Sequence, residues 1–127
     1  IKRRRGEVTP EERGALFEGW IHMLLRAHHE IRPLFDEIAY WSPAEARDTE
    51  VDFVLEREGE HLAIEVKSGS RFDSSELSGL RAIAKLPRLV RRILIFNGRR
   101  KLKTEDGIEV WPLGHFLDAL ANQKLWP

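Results

Sequence analysis

The chain contains no cysteine, which excludes disulfides and thiolate metal sites and is compatible with a reducing cytoplasm, the expected location. It carries no net charge, with 21 basic against 21 acidic side chains; that balance argues against strong nonspecific affinity for nucleic acid. Long apolar runs are also missing. The longest purely aliphatic and aromatic stretch covers residues 93–96, far short of a membrane span, and no secretory signal is visible. No Gly-Lys dipeptide occurs, so the chain has no Walker A loop, and no internal repeat or low-complexity stretch interrupts it.

What remains is 127 residues, enough for one domain with its own core. The first residue is Ile rather than Met, and we expect a segment of a longer protein. The charge is unevenly spread. Lys2-Arg3-Arg4-Arg5 forms a basic N-terminal segment (residues 1–8), ahead of a folded unit over residues 9–127. Residues 88–103 hold seven basic side chains and no acid. Most of these are expected on solvated loops and helix ends; Arg99, Arg100 and Lys101, following the turn pair Asn97-Gly98, are the candidates for phosphate contact.

The most informative stretch runs from Glu50 to Lys67. Val51, Phe53 and Leu55 alternate with Asp52, Val54 and Glu56, and Leu62, Ile64 and Val66 alternate with Glu65 and Lys67. Alternation places one apolar and one charged face on each of two strands. Glu58-Gly59 fits a two-residue hairpin loop, which pairs Arg57 with Glu60, Leu55 with Leu62 and Phe53 with Ile64. Continued, that register sets Asp52 opposite Glu65 and Glu50 opposite Lys67, and a slip of one residue would scatter the apolar set. Opposed Cβ atoms lie roughly 5 Å apart. Two like charges there repel by roughly 3 kcal/mol at an effective dielectric of about 20. In a cleft the two acids therefore call for a cation, and carboxylate oxygens suit a hard divalent ion. On an open surface the same residues would be an ordinary solvated face with a weak ion pair.

Around this hairpin, Thr9-Pro10-Glu11-Glu12 reads as a helix start, with Thr9 as N-cap and Pro10 in the first turn. Leu16, Phe17, Trp20, Ile21, Leu24 and Leu25 then form a broad apolar face. Glu18 falls on its flank, between Gly14 and His22. After the hairpin, Ser74 or Ser75 is placed to cap a helix carrying Leu77, Leu80, Ile83 and Ala84, ended by Pro87. Arg92 to Phe96 reads as a buried strand, giving a strand–helix–strand crossover. Residues 101–104 and 108–111 suggest a small hairpin, and residues 112–121 a closing helix. His22, His28 and His29 lack zinc-pair spacing and are expected at boundaries, and the four tryptophans in packing roles.

The set Asp52…Glu65-Val66-Lys67 resembles the PD-(D/E)xK nuclease superfamily, although Val51 stands where a proline often precedes the first acid. The longer ordered set is Gly14-Ala15-Leu16-Phe17-Glu18, Tyr40-Trp41, Glu50-Val51-Asp52 and Ile64-Glu65-Val66-Lys67. It is similar to the nuclease-like domain found C-terminal to AAA+ ATPase modules in many prokaryotic proteins. The resemblance implies an α/β fold with a restriction-endonuclease-like α-β-β-β-α-β core, a mixed sheet flanked by helices. It further implies Mg²⁺ or Mn²⁺ held by Asp52, Glu65, the main-chain carbonyl of Val66 and Glu18. Lys67 would orient the attacking water, making Glu18, Asp52, Glu65 and Lys67 the catalytic set for hydrolysis of DNA. The partners implied are DNA and an upstream AAA+ ATPase module, with no membrane and with homo-oligomerisation left open. A catalytically silent module that keeps the same scaffold to serve the ATPase is the alternative expectation.

Overall fold

The computed structural model describes residues 6–43 and 49–127; the basic run Lys2-Arg3-Arg4-Arg5 lies outside the described residues. Thr9 begins the first helix as expected. Its hydroxyl accepts from the Glu12 amide at 3.1 Å, and Pro10, which has no N–H to leave unpaired, opens α1 (Pro10–Ile31). The helix buries a narrower face than its sequence offers. Ile21 and Leu25 are fully buried, with Phe17 and Leu24 packed beside them, whereas Leu16 is 64% exposed, Met23 57% and Trp20 39%. A helix lying on one sheet needs only one stripe of side chains, so part of the expected apolar face points outward.

Strands β1 (Glu37–Trp41), β2 (Val51–Arg57) and β3 (Glu60–Val66) form an antiparallel meander. The turn between β2 and β3 is the two-residue loop read from the sequence: Glu58 and Gly59 both take positive φ, 53° and 80°, as a type I′ turn requires. Its register matches the expected one, Arg57 with Glu60, Leu55 with Leu62 and Phe53 with Ile64. A helical segment follows, made of a 3₁₀ turn (Ser74–Leu77), α2 (Ser78–Ala82) and a second 3₁₀ turn (Ile83–Lys85). It returns the chain to β4 (Leu89–Phe96), parallel to β3. The strands β5 (Leu102–Lys103) and β6 (Glu109–Pro112) pair antiparallel as the expected small hairpin, and α3 (Leu113–Ala121) follows. The sheet order is β1-β2-β3-β4-β6-β5, with β6 parallel to β4. This is an α/β fold with a mixed six-stranded sheet and flanking helices.

The face that carries the charges is itself largely buried. Phe53, Leu55, Leu62 and Ile64 pack toward α1 and α3, while Val54, Ala63, Leu94 and Phe96 pack under Leu77, Leu80 and Ile83 of the helical segment. Both faces are covered, as parallel pairing through a crossover demands. Val51 also joins the second cluster rather than that of Phe53, next to an irregularity where Trp41 pairs with Val51. The helical segment lies so close to the sheet that a Cβ at Gly79 would collide with the carbonyl oxygen of Glu50. At the other end of the chain, the Trp126 indole donates to the Leu34 carbonyl at 2.8 Å and Arg57 sits over its ring, docking the C-terminal residues on the core. Among the described residues, no helix is long and apolar enough to cross a membrane.

Candidate metal and phosphodiester site

The backbone ladder between β2 and β3 ends at Phe53 and Ile64. Beyond it the two strands take different partners: Val51 pairs with Trp41 of β1, while the Lys67 amide donates to the Ile95 carbonyl of β4. Two side chains bridge the opening. The Asp52 amide donates to Glu65 Oε1 at 3.2 Å, and the Val66 amide donates to Asp52 Oδ2 at 2.8 Å. Each acid thus satisfies a backbone donor that the ladder has released. The expected juxtaposition of Asp52 and Glu65 is present, and Glu65 is only 7% exposed, the one buried charged residue among those described.

The opening forms a cleft of about 300 Å³ lined by Glu50, Asp52, Glu65 and Lys67 from the strands and by Ser75, Glu76 and Ser78 from the helical segment. Glu18, outside the cleft lining, reaches Asp52 from α1, within hydrogen-bonding distance. Nothing would crowd a side chain at Gly14, one turn earlier. The structure therefore brings Asp52, Glu65 and Lys67 together in the cleft and sets Glu18 beside Asp52. The lip contributed by Ser75, Glu76 and Ser78 was not anticipated. Its position follows from a cap that is Asp73 and not Ser74 or Ser75. Asp73 accepts from the amides of Ser75 and Glu76, and Glu76 accepts from the Asp73 amide at 3.1 Å. The Asp-x-x-Glu spacing of a capping box was the available signal.

The electrostatics show a cluster short of positive charge. Burial raises the Asp52 carboxyl to about 8, aided by the hydrogen bond and charge of Glu65 and opposed by Glu18 and the Val66 amide. Burial likewise raises Glu18 to about 7, with the hydrogen bond and charge of Asp52 adding to it and His22 opposing. Glu65 is raised by burial, against the Asp52 hydrogen bond and the Lys67 charge. Three neighbouring acids that each resist ionisation share a proton at neutral pH unless a cation replaces it. Among the described residues no three His, Cys, Asp or Glu side chains already stand as a metal-holding group; the carboxyls face each other and the backbone amides. The donor chemistry, all hard oxygen, suits Mg²⁺ or Mn²⁺.

The basic candidates do not line this cleft. Arg99 and Arg100 are exposed on the loop after β4 and line a neighbouring groove, whereas Lys101 lies close enough to His115 to help lower its pKa. The histidines behave as boundary residues: His22 packs on Phe53, and His29 stacks on Phe35 and accepts from the Leu34 amide. Of the tryptophans, Trp111 and Trp126 are buried and Trp20 is not.

A family model spans all of these cleft and loop positions, matching residues 13–116. The chain belongs to the family described as a domain of unknown function, DUF4143. Among curated proteins, none matches it. The DUF4143 match speaks neither for nor against the nuclease resemblance, which rests on the four motifs and on the cleft.

Proposed function

We propose that this DUF4143 domain is a metal-dependent, nuclease-like domain that hydrolyses DNA phosphodiester bonds as part of a larger ATPase-linked protein. The observation that carries the reading is the opening between β2 and β3, where Asp52, Glu65 and Lys67 line one cleft and Glu18 reaches Asp52 from α1. The order helix, three strands, helical segment, strand supports assignment to the PD-(D/E)xK superfamily. Glu18, Asp52, Glu65 and the Val66 carbonyl would hold Mg²⁺ or Mn²⁺. When bound, such an ion supplies Lewis-acid stabilisation of the phosphoryl oxygens and makes an attacking water more acidic. Lys67 adds a fixed positive charge at the same cleft, where it would orient that water and offset the charge that builds on the pentavalent phosphorus. Glu18 would complete the site as an ionised ligand, giving up the proton that burial and Asp52 favour on it when no cation is present.

Nicking of supercoiled DNA with Mn²⁺, and its loss in Lys67→Ala, is the expected result. Equal nicking by wild type and Lys67→Ala at matched purity would point to a contaminant and refute it. A second reading, a silent scaffold serving the ATPase, is favoured by one observation: Asp52 and Glu65 are taken up by backbone amides, and among the described residues no three such side chains stand as a ready ligand group. Calorimetry decides between them. Binding heat with Mn²⁺ that Asp52→Ala removes supports the nuclease, and no heat from either protein supports the scaffold.

A further inference from the structure

The parallel strands β3 and β4 end side by side, and the two loops that leave their carboxyl ends are joined. The Asn97 amide donates to the Gly69 carbonyl at 2.9 Å. At Gly98 a Cβ would meet the Ser70 carbonyl oxygen at 2.8 Å and collide with the Phe96 ring, so only glycine lets the loops close this tightly. Between them lies an open groove of about 800 Å³, bordered by Arg71 and Phe72 on one loop and Arg99 and Arg100 on the other. No acid lines it. Phe72 is half-buried and stands edge-on to Phe96, with ring centroids 5.6 Å apart, so part of its ring is fixed by the core while part faces the groove.

Guanidinium groups and a fixed aromatic surface answer the two parts of a nucleotide: the phosphate takes the charge, and the base takes the ring. A duplex keeps its bases stacked inside and leaves Phe72 without a partner; an unpaired strand does not. The groove is also close to the acid cleft. Ser70 lies three residues from Lys67, a reach of at most about 11 Å, and ligands gather outside the carboxyl ends of parallel strands. We infer that the Arg71–Phe72–Arg99–Arg100 groove binds single-stranded DNA, seating an unpaired base on Phe72 and feeding the adjoining phosphate toward Lys67. The inference rests on the nuclease reading for its purpose and not for its binding chemistry.

The test is binding of a fluorescent oligothymidylate and of the matching duplex to the whole chain in EDTA, followed by anisotropy across a salt series. Wild type should prefer the single strand. Combined Arg71→Ala, Arg99→Ala and Arg100→Ala should weaken single-strand binding at least about tenfold. It should also flatten the slope of log K against log salt by about 2, since each phosphate contact on a single strand contributes about 0.7. Phe72→Leu, which keeps the apolar packing, should weaken binding about fivefold or more and leave the salt slope unchanged. A duplex preference in wild type, or unchanged affinity and slope in the arginine variant, overturns the inference. Assaying the same proteins for Mn²⁺-dependent cleavage separates the two readings. Single-strand binding without cleavage sinks the nuclease and leaves the groove, whereas cleavage with arginine-independent binding sinks the groove alone.

Discussion

Stability against pH, measured without metal, tests the acid cluster directly. The Asp52 carboxyl titrates near 8 in the folded chain and at about 3.8 when unfolded. Between those values the folded protein holds a proton that the unfolded chain has released. Its contribution to stability is therefore complete below pH 3.8 and is lost as pH rises toward 8. A full one-proton difference changes stability by about 1.4 kcal/mol per pH unit, or roughly 2.7 kcal/mol from pH 5 to 7. Because Asp52 is half-buried and its cleft opens to water, solvent screening reduces this to about 1–2 kcal/mol. Urea denaturation in EDTA at pH 5, 6 and 7 should show that fall. Asp52→Asn keeps an acceptor for the Val66 amide while removing the titrating group, and also relieves Glu18. It should lose at least half the slope. Excess Mn²⁺ at pH 7 should raise wild-type stability by more than it raises that of Asp52→Asn. A flat wild-type profile, or the same slope in Asp52→Asn, would refute the account of a shared, displaceable proton.

Other consequences concern the scaffold. Gly79→Ala sets a methyl against the Glu50 carbonyl and should cost about 1–3 kcal/mol, seen as a lower urea midpoint, while Gly14→Ala, at an uncrowded position, should not. Arg91 donates to Glu109 at 2.7 Å and to the Lys124 and Leu125 carbonyls at 3.0 and 2.7 Å, over the Trp111 ring. Arg91→Ala should destabilise by about 1.5–3 kcal/mol and speed proteolysis of the C-terminal residues, and an unchanged digestion rate would show that this clasp is not what holds them.

The hairpin was legible because two independent signals agree: Glu58-Gly59 demands a tight turn, and period-two alternation fixes the register on either side of it. The start of α1 was equally plain, since Thr9 and Pro10 act within one helical turn. What lay beyond the sequence involves partners distant along the chain. Alternation marks which residues share a face, and not what covers that face, so Val54 and Ala63 gave no hint of the helical segment above them. Leu16 and Trp20 are apolar at helical spacing, yet the sheet beneath α1 has room only for Ile21, Leu25 and their neighbours. At the site, the four motif residues were readable in order. The lip of Ser75, Glu76 and Ser78 and the groove of Arg71 and Phe72 arise from loops that meet only after β3 and β4 align. Val51, placed on the face of Phe53 by simple alternation, departs from it because β2 exchanges partners there.

The parting of β2 and β3 has a bearing on how such domains change over time. Asp52 and Glu65 act as stitches for the sheet as well as candidate ligands, since each accepts a main-chain N–H that no neighbouring strand reaches. Removing either acceptor strands a sheltered donor, at about 1–3 kcal/mol, a sizeable share of a small domain's stability. If the proposed nuclease reading holds, a descendant that had lost cleavage would still be under pressure to keep both acids, whereas Lys67, whose side chain closes no such seam, would be free to drift. Variation at Lys67 among relatives would therefore report on loss of chemistry more faithfully than variation at either carboxylate.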